Sequence, residues 1–291
     1  MRAELKELWR FRELLFAMVE RELRIRYKNS ALGFFWSLLN PLVTVAVMTF
    51  VFKYVMQNET ENFSAYILAA YLPFIFLQLC LLDSAQSILI ALPVVRKVYF
   101  PREIMPLSAV LSNFIHLVLA MLVFLAYLFI LYAVTGFQSN PFTWRLLFLP
   151  VLLVVNLILA TGLSLLISAY NVFYEDVKYV VSVGLYLAFF LTPIMYFSET
   201  VFYALKKFGK TGEWIYTAYH CNPVAMLSTA YRKTLVPPGK MKVVENGAVI
   251  DIQPLPFNWW LFAVCVLVSV AVLIYGYSVF NRLKWRFVER P

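Results

Sequence analysis

Six stretches of this chain are long and apolar enough to cross a lipid bilayer as helices, and no other feature restricts its fold as strongly. Hydrocarbon about 30 Å thick needs roughly 20 helical residues per crossing. Windows of that kind recur at 33–56, 66–92, 107–134, 146–170, 179–197 and 257–280. In such a solvent the backbone N–H and C=O groups of each segment must be satisfied internally, so the expected fold class is an all-α integral membrane protein. Composition agrees, because 62% of the 291 residues are hydrophobic and 14% charged, against about 45–50% and 25% in soluble domains. The fifth window is short and ends at Pro193, so a broken or re-entrant segment is the alternative there.

Charge supplies the orientation, since Lys and Arg near the ends of crossings are held on the cytoplasmic side. Arg2, Lys6, Arg10, Arg12, Arg21, Arg24, Arg26 and Lys28 precede the first window, and Arg282, Lys284, Arg286 and Arg290 follow the last. Both ends are therefore expected inside, which requires an even number of crossings. The connection 57–65 carries Glu59 and Glu61 and suits the outside, whereas 93–106 carries Arg96, Lys97 and Arg102 and suits the inside. Residues 198–256 then face outward in spite of seven basic and four acidic residues, at a length where charge loses control of topology. The net charge of +9 is dispersed among these ends, which points to anionic lipid headgroups and away from nucleic acid.

Two parts are expected: an amphipathic cytoplasmic helix within 1–32 and a transmembrane domain over 33–291. Trp9, Phe16, Val19, Leu23 and Tyr27 recur at helical spacing with arginines between them, as in helices that lie in the headgroup layer. Eight basic residues and the absence of a continuous apolar core make this segment neither a cleavable signal peptide nor a span. Prolines bracket the insert Pro93–Pro106, which is expected to protrude as a short helix. In 171–178, Glu175 and Asp176 stand near a helix start, where they either complement the helix dipole or meet a partner. Val201–Leu235 mixes aromatics with lysines in the manner of a partly re-entrant hairpin, and Asn246-Gly247 between β-rich stretches signals a β-hairpin over 241–252.

Catalytic chemistry has few places to reside. Asp83 and His116 are the obvious ionisable groups within the windows, and intramembrane ionisable residues are either functional or satisfied inside a bundle. A membrane-embedded glycan-modifying enzyme would have to draw on Asp83, His116, Glu175 and Asp176. Cys80, Cys221 and Cys265 form no close-spaced pair, so neither a disulfide framework nor a metal site is expected. Gly209-Lys210-Thr211 ends like a phosphate-binding loop, but Ala204 occupies the position of the required earlier glycine. No cofactor is expected in this chain, and energy for transport must come from an ion gradient, as in an ion-coupled flippase, or from a separate ATPase. The charged cytoplasmic inserts favour the ATPase.

Arg26-Tyr-Lys-Asn-Ser-Ala-Leu-Gly-Phe-Phe-Trp36 followed by Asn40-Pro41 resembles the opening of the ABC-2 type permeases of O-antigen, capsule and teichoic acid exporters. Lys97-Val-Tyr-Phe-Pro-Arg-Glu-Ile-Met-Pro-Leu107, Thr192-Pro-Ile-Met-Tyr196 and Asn222-Pro223 extend the resemblance in the expected order over almost the whole chain. It implies six helices behind an interface helix, and two permeases paired with two ATP-hydrolysing subunits that carry ATP and Mg. It further implies that Tyr99, Phe100, Pro101, Arg102 and Glu103 belong to a cytoplasmic gating and coupling element, and that the loop with Glu175 and Asp176 contacts the ATPase. The helices around Asn222 and Pro223 would form the outer gate region. The implied substrate is a polyprenyl-pyrophosphate-linked glycan, and by charge and placement Arg24, Arg26, Lys28, Lys97 and Arg102 are candidates to meet its pyrophosphate at the cytoplasmic entrance.

Overall fold

The computed structural model describes residues 2–28, 35–55, 63–95, 99–135, 142–236, 241–245 and 248–288. Two N-terminal helices, α1 (Arg2–Arg10) and α2 (Arg12–Tyr27), precede α3 (Phe35–Phe50), which a π-helical turn extends over Val51–Val55. The long helices α4 (Phe63–Val95), α5 (Ile104–Thr135) and α6 (Leu149–Phe173) follow, then the shorter α7 (Val177–Leu191). Three short helices come next, α8 (Ser198–Lys206), α9 (Lys210–Cys221) and α10 (Pro223–Leu235), then strands β1 (Met241–Glu245) and β2 (Ala248–Ile252), and last α11 (Trp259–Leu283).

Each apolar window coincides with a helix. Four regions are long and apolar enough to cross a membrane: Phe63–Pro93, Ile104–Val134, Trp144–Phe173 and Trp259–Phe287. Val177–Leu191 is a shorter apolar helix, about 22 Å long at 1.5 Å per residue. It stops because Thr192-Pro193 leaves the helical region, Pro193 having no N–H to donate and forcing Thr192 to an extended ψ of 152°. The N-terminal segment is two helices where one was expected, although the hydrogen-bond ladder runs on through Phe11, whose N–H reaches the Glu7 carbonyl at 3.1 Å. The insert forms no helix of its own over 99–103, and Lys97 lies outside the described residues. β1 and β2 pair antiparallel, with Glu245 opposite Ala248, as the hairpin signal predicts; Asn246 and Gly247 themselves lie outside the described residues.

The central helix is α4, 78% of whose apolar window is buried, against 22% for α5 and α11. It packs on α3, α5, α6, α7 and α10. Helices gain little from hydrophobic burial when lipid is the alternative, so close backbone approach and interhelical hydrogen bonds hold them. Asn156, Ser164 and Asn171 on α6 donate to the α4 carbonyls of Pro73, Cys80 and Ala85, a register that sets the two helices parallel. Gly162 of α6 faces Gly276 of α11 so closely that a Cβ on Gly162 would stand 2.6 Å from the Leu273 backbone. Other helix hydroxyls are satisfied along their own helix, as Thr161 is by the Leu157 carbonyl and Ser278 by that of Ile274.

The contacts define two ends. Phe100, Ile104, Val172, Phe280 and Phe287 form one core with Leu8, Phe11 and Leu14 packed against it, so both terminal regions and the 99–103 turn share one end of the bundle. At the other end Tyr66 packs against Phe197, with centroids 4.1 Å apart and the rings tilted by 49°, and its carbonyl meets Arg232 of α10.

Candidate functional site

Tyr99–Glu103 reaches three different parts of the molecule in five residues. The Tyr99 side chain is exposed, and its hydroxyl donates to Glu7 of α1 at 2.8 Å, a carboxylate contact that raises the phenol above its ordinary pKa. Phe100 is buried in the terminal core. Pro101 accepts the Ile104 N–H at 3.1 Å and so opens α5. Arg102 donates to the Lys284 carbonyl at the end of α11, and its guanidinium lies 5.9 Å from the Phe287 ring centroid. A cation there complements the negative end of the α11 dipole. Glu103 is buried and takes the Lys284 ammonium at 2.6 Å. The turn is thus a strap joining α1, α5 and the C-terminal end of α11.

A second cluster fastens α2 to the bundle. Arg26 donates to Asp83 of α4 at 2.5 Å and to Asn113 of α5 at 2.7 Å, while Asn113 donates to the same Asp83 oxygen at 2.8 Å. The three side chains satisfy one another at a partly exposed site, with the Arg26 and Asp83 side chains 30% and 37% exposed. Asp83 is therefore an ion-pair partner of the interface segment, and His116, buried one turn beyond Asn113 on α5, flanks the cluster. Of the cations singled out for a pyrophosphate, Arg26 and Arg102 are engaged by the protein, Arg24 pairs with Glu20 at 2.5 Å on an exposed face, and Lys28 is exposed.

Between α6 and α7, Tyr174, Glu175 and Asp176 are exposed at the same end of the molecule, Phe173 being tied to Phe287 with centroids 5.8 Å apart. Asp176 stands at the start of α7 but its side chain makes no capping hydrogen bond. The capping acceptor is Asn171, whose Oδ1 takes the Lys178 N–H at 3.0 Å. Both acidic residues are exposed at the surface.

At the opposite end, Asn222 caps α10 by accepting the Val224 N–H at 3.0 Å, and Pro223 occupies the first helical position, where its missing N–H costs nothing. One turn before the end of α10 is Arg232, which the sequence reading passed over. It is buried, donates to the carbonyls of Tyr66, Ile194 and Tyr196, and lies 3.9 Å from the Tyr66 ring centroid. The Ile194 and Tyr196 carbonyls follow the break after α7, the Tyr66 carbonyl lies in the first turn of α4, and a guanidinium has enough donors to serve all three. Lys233 beside it pairs with buried Glu199 at 3.3 Å. Burial pushes the Tyr216 phenol up to about 12 and holds the His220 imidazole below its ordinary pKa. The available signal was Arg-Lys in the last turn of a short helix, indistinguishable in one sequence from solvated charge. Among the described residues, no three His, Cys, Asp or Glu side chains come together as a metal site.

A bundle of long apolar helices, an N-terminal basic pair of helices and a charged strap at one end describe a multi-pass membrane protein of the transporter kind. The sequence model of the ABC-2 type transporter family matches residues 13–236, and the chain belongs to that family. It is similar to the O-antigen export system permease protein RfbA of Myxococcus xanthus, 32% identical over 98% of this chain and 97% of the relative. Two proteins of the same description from Klebsiella pneumoniae are 28% and 27% identical, each over 95% of this chain and 94% of the relative.

Proposed function

We propose that this chain is the permease subunit of an exporter that moves an O-antigen-type polysaccharide, linked to polyprenyl pyrophosphate, across the bacterial cytoplasmic membrane. The observation that carries the reading is similarity along almost the entire chain to three proteins each described as an O-antigen export permease. In this reading α3 and α7 join the four longer helices as crossings, giving six, with both termini cytoplasmic and α1 and α2 in the headgroup layer. Capsular polysaccharide or teichoic acid is the alternative cargo within the family, and the descriptions of the relatives favour O-antigen.

Two copies of the chain and two copies of a separate ATPase, which holds ATP and Mg, form the working unit. Exposed Tyr174–Asp176 and the Tyr99–Glu103 strap are the surfaces on which ATPase movement acts, because both sit at the end that carries the termini. Exposed apolar residues on α3 (Trp36, Val43, Val47, Phe50) and α7 (Tyr179, Val183, Tyr186, Phe190) offer the second copy and the glycan their contact faces. Arg24, Arg26, Lys28 and Arg102 are the described cations for the pyrophosphate entrance, Arg24 beside Glu20 and Arg26 beside Asp83. Asn222 and Pro223 set the turn of the outer gate region.

Deletion of the gene is expected to abolish surface polysaccharide and to leave lipid-linked glycan inside the cell, with restoration by this chain only when an active partner ATPase is present. Export that persists with a hydrolysis-dead ATPase but collapses with an ionophore would transfer the chain to ion-coupled flippases. A glycan altered in structure but still exported in the deletion strain would make it a membrane-embedded enzyme.

A further inference from the structure

Between the α8–α9 hairpin, α10 and the entry to α11 lies a cavity of about 470 Å³, within the range that holds small ligands. It opens where a spanning helix begins, and there Trp259 and Trp260 are 64% and 73% exposed, the placement of indoles at headgroup depth. Aromatic rings enter from two sides. Phe202 and Tyr216 come from α8 and α9 with centroids 5.1 Å apart, and Phe257 and Trp259 from the entry to α11 with centroids 4.7 Å apart. Glu213 of α9 lines the same cavity, and its carboxylate has no hydrogen bond or ion pair among the described residues. Lys233 lines it too, held in place by Glu199 at 3.3 Å and by the Leu255 carbonyl at 2.7 Å.

A carboxylate set among aromatic rings favours an ammonium group, because the ring faces and the anion attract the same charge. Lys233 is neutralised by Glu199 and held by the Leu255 and Pro256 carbonyls, so the charge left to face a ligand is that of Glu213. At headgroup depth the group that answers to it is a lipid ammonium. We propose that this cavity binds the headgroup of a phospholipid carrying a primary ammonium, with the ammonium against Glu213 and the aromatic rings. The inference needs only that α11 spans the bilayer, and it stands apart from the identity of the exported glycan.

The test uses the transporter complex taken intact from its membrane into nanodiscs of phosphatidylglycerol containing a minority of phosphatidylethanolamine, with bound lipid read by native mass spectrometry. Phosphatidylethanolamine should be retained about tenfold above its share of the disc, the preference expected of a cation–π and charge contact. Glu213→Gln, a substitution at an exposed position, should remove that enrichment without changing the melting temperature, and Trp259→Leu should weaken it. Free phosphoethanolamine should displace the lipid better than glucosamine, which offers an ammonium on a sugar. Equal retention of the two lipids, enrichment unchanged in Glu213→Gln, or displacement by glucosamine alone would each overturn the proposal.

Discussion

Lys284 and Glu103 have side chains 11% and 2% exposed, so each charge depends on the other. Removing one member of such a pair strands the second and costs about 3–5 kcal/mol, whereas replacing both by neutral groups of similar size costs far less. Glu103→Ala is therefore expected to lower the melting temperature of the purified permease steeply, and Glu103→Gln with Lys284→Met to recover much of the loss, as measured by fluorescence-detected size exclusion after heating. At the second cluster, Arg26→Ala releases α2 from α4 and α5, so limited trypsin should cut faster at Arg21 and Arg24. A double-mutant cycle with Asp83→Asn should give a coupling of about 0.5–1.5 kcal/mol, the low part of the range for contacting residues because the pair is partly exposed. The sequence named Arg26 and Arg102 as candidates to meet a pyrophosphate, and the structure adds the protein groups that each of them meets. Their partners lie 57 and 182 residues away, and a single sequence does not reveal which distant carboxylate or carbonyl a cation meets.

At the scale of elements, α6 and α11 meet through Gly162 and Gly276, and each glycine leaves room for the backbone of the other helix and for nothing more. Gly276→Ala places a methyl group against the Gly162 carbonyl, an overpacking worth roughly 1–3 kcal/mol of lost stability. Gly184→Ala in α7 meets nothing within 4 Å and should be neutral or stabilising by a few tenths of a kcal/mol; the pair of melting curves tests both. In the short helices, Arg232→Lys keeps the charge but offers three donors in place of a planar fork. It is expected to loosen the junction between α7, α8 and α10, raising hydrogen exchange at Ile194–Phe197 and leaving α6 protected. The helices themselves were legible, because their periodic apolar composition is a local property. The division at Phe11, the merging of the insert into the start of α5, and the capping of α7 by Asn171 were not, since each depends on what packs against the segment.

Across the whole molecule the alternation of helix directions brings both termini to one end and Cys221 to the other. Of the three cysteines, Cys80 and Cys265 are buried and Cys221 is exposed. A membrane-impermeant maleimide added to spheroplasts should therefore label Cys221 alone, and Cys221→Ser should abolish labelling; reaction only after lysis would invert the proposed orientation. The long apolar helices and the end-to-end family likeness were determined by local order in the chain, because lipid imposes one requirement on every crossing and that requirement is written in consecutive residues. Tertiary structure alone decided which charges are spent on one another, which carbonyls Arg232 serves and where an aromatic cavity stays open. Those outcomes depend on distances between helices far apart in the chain, and consecutive residues carry no record of them.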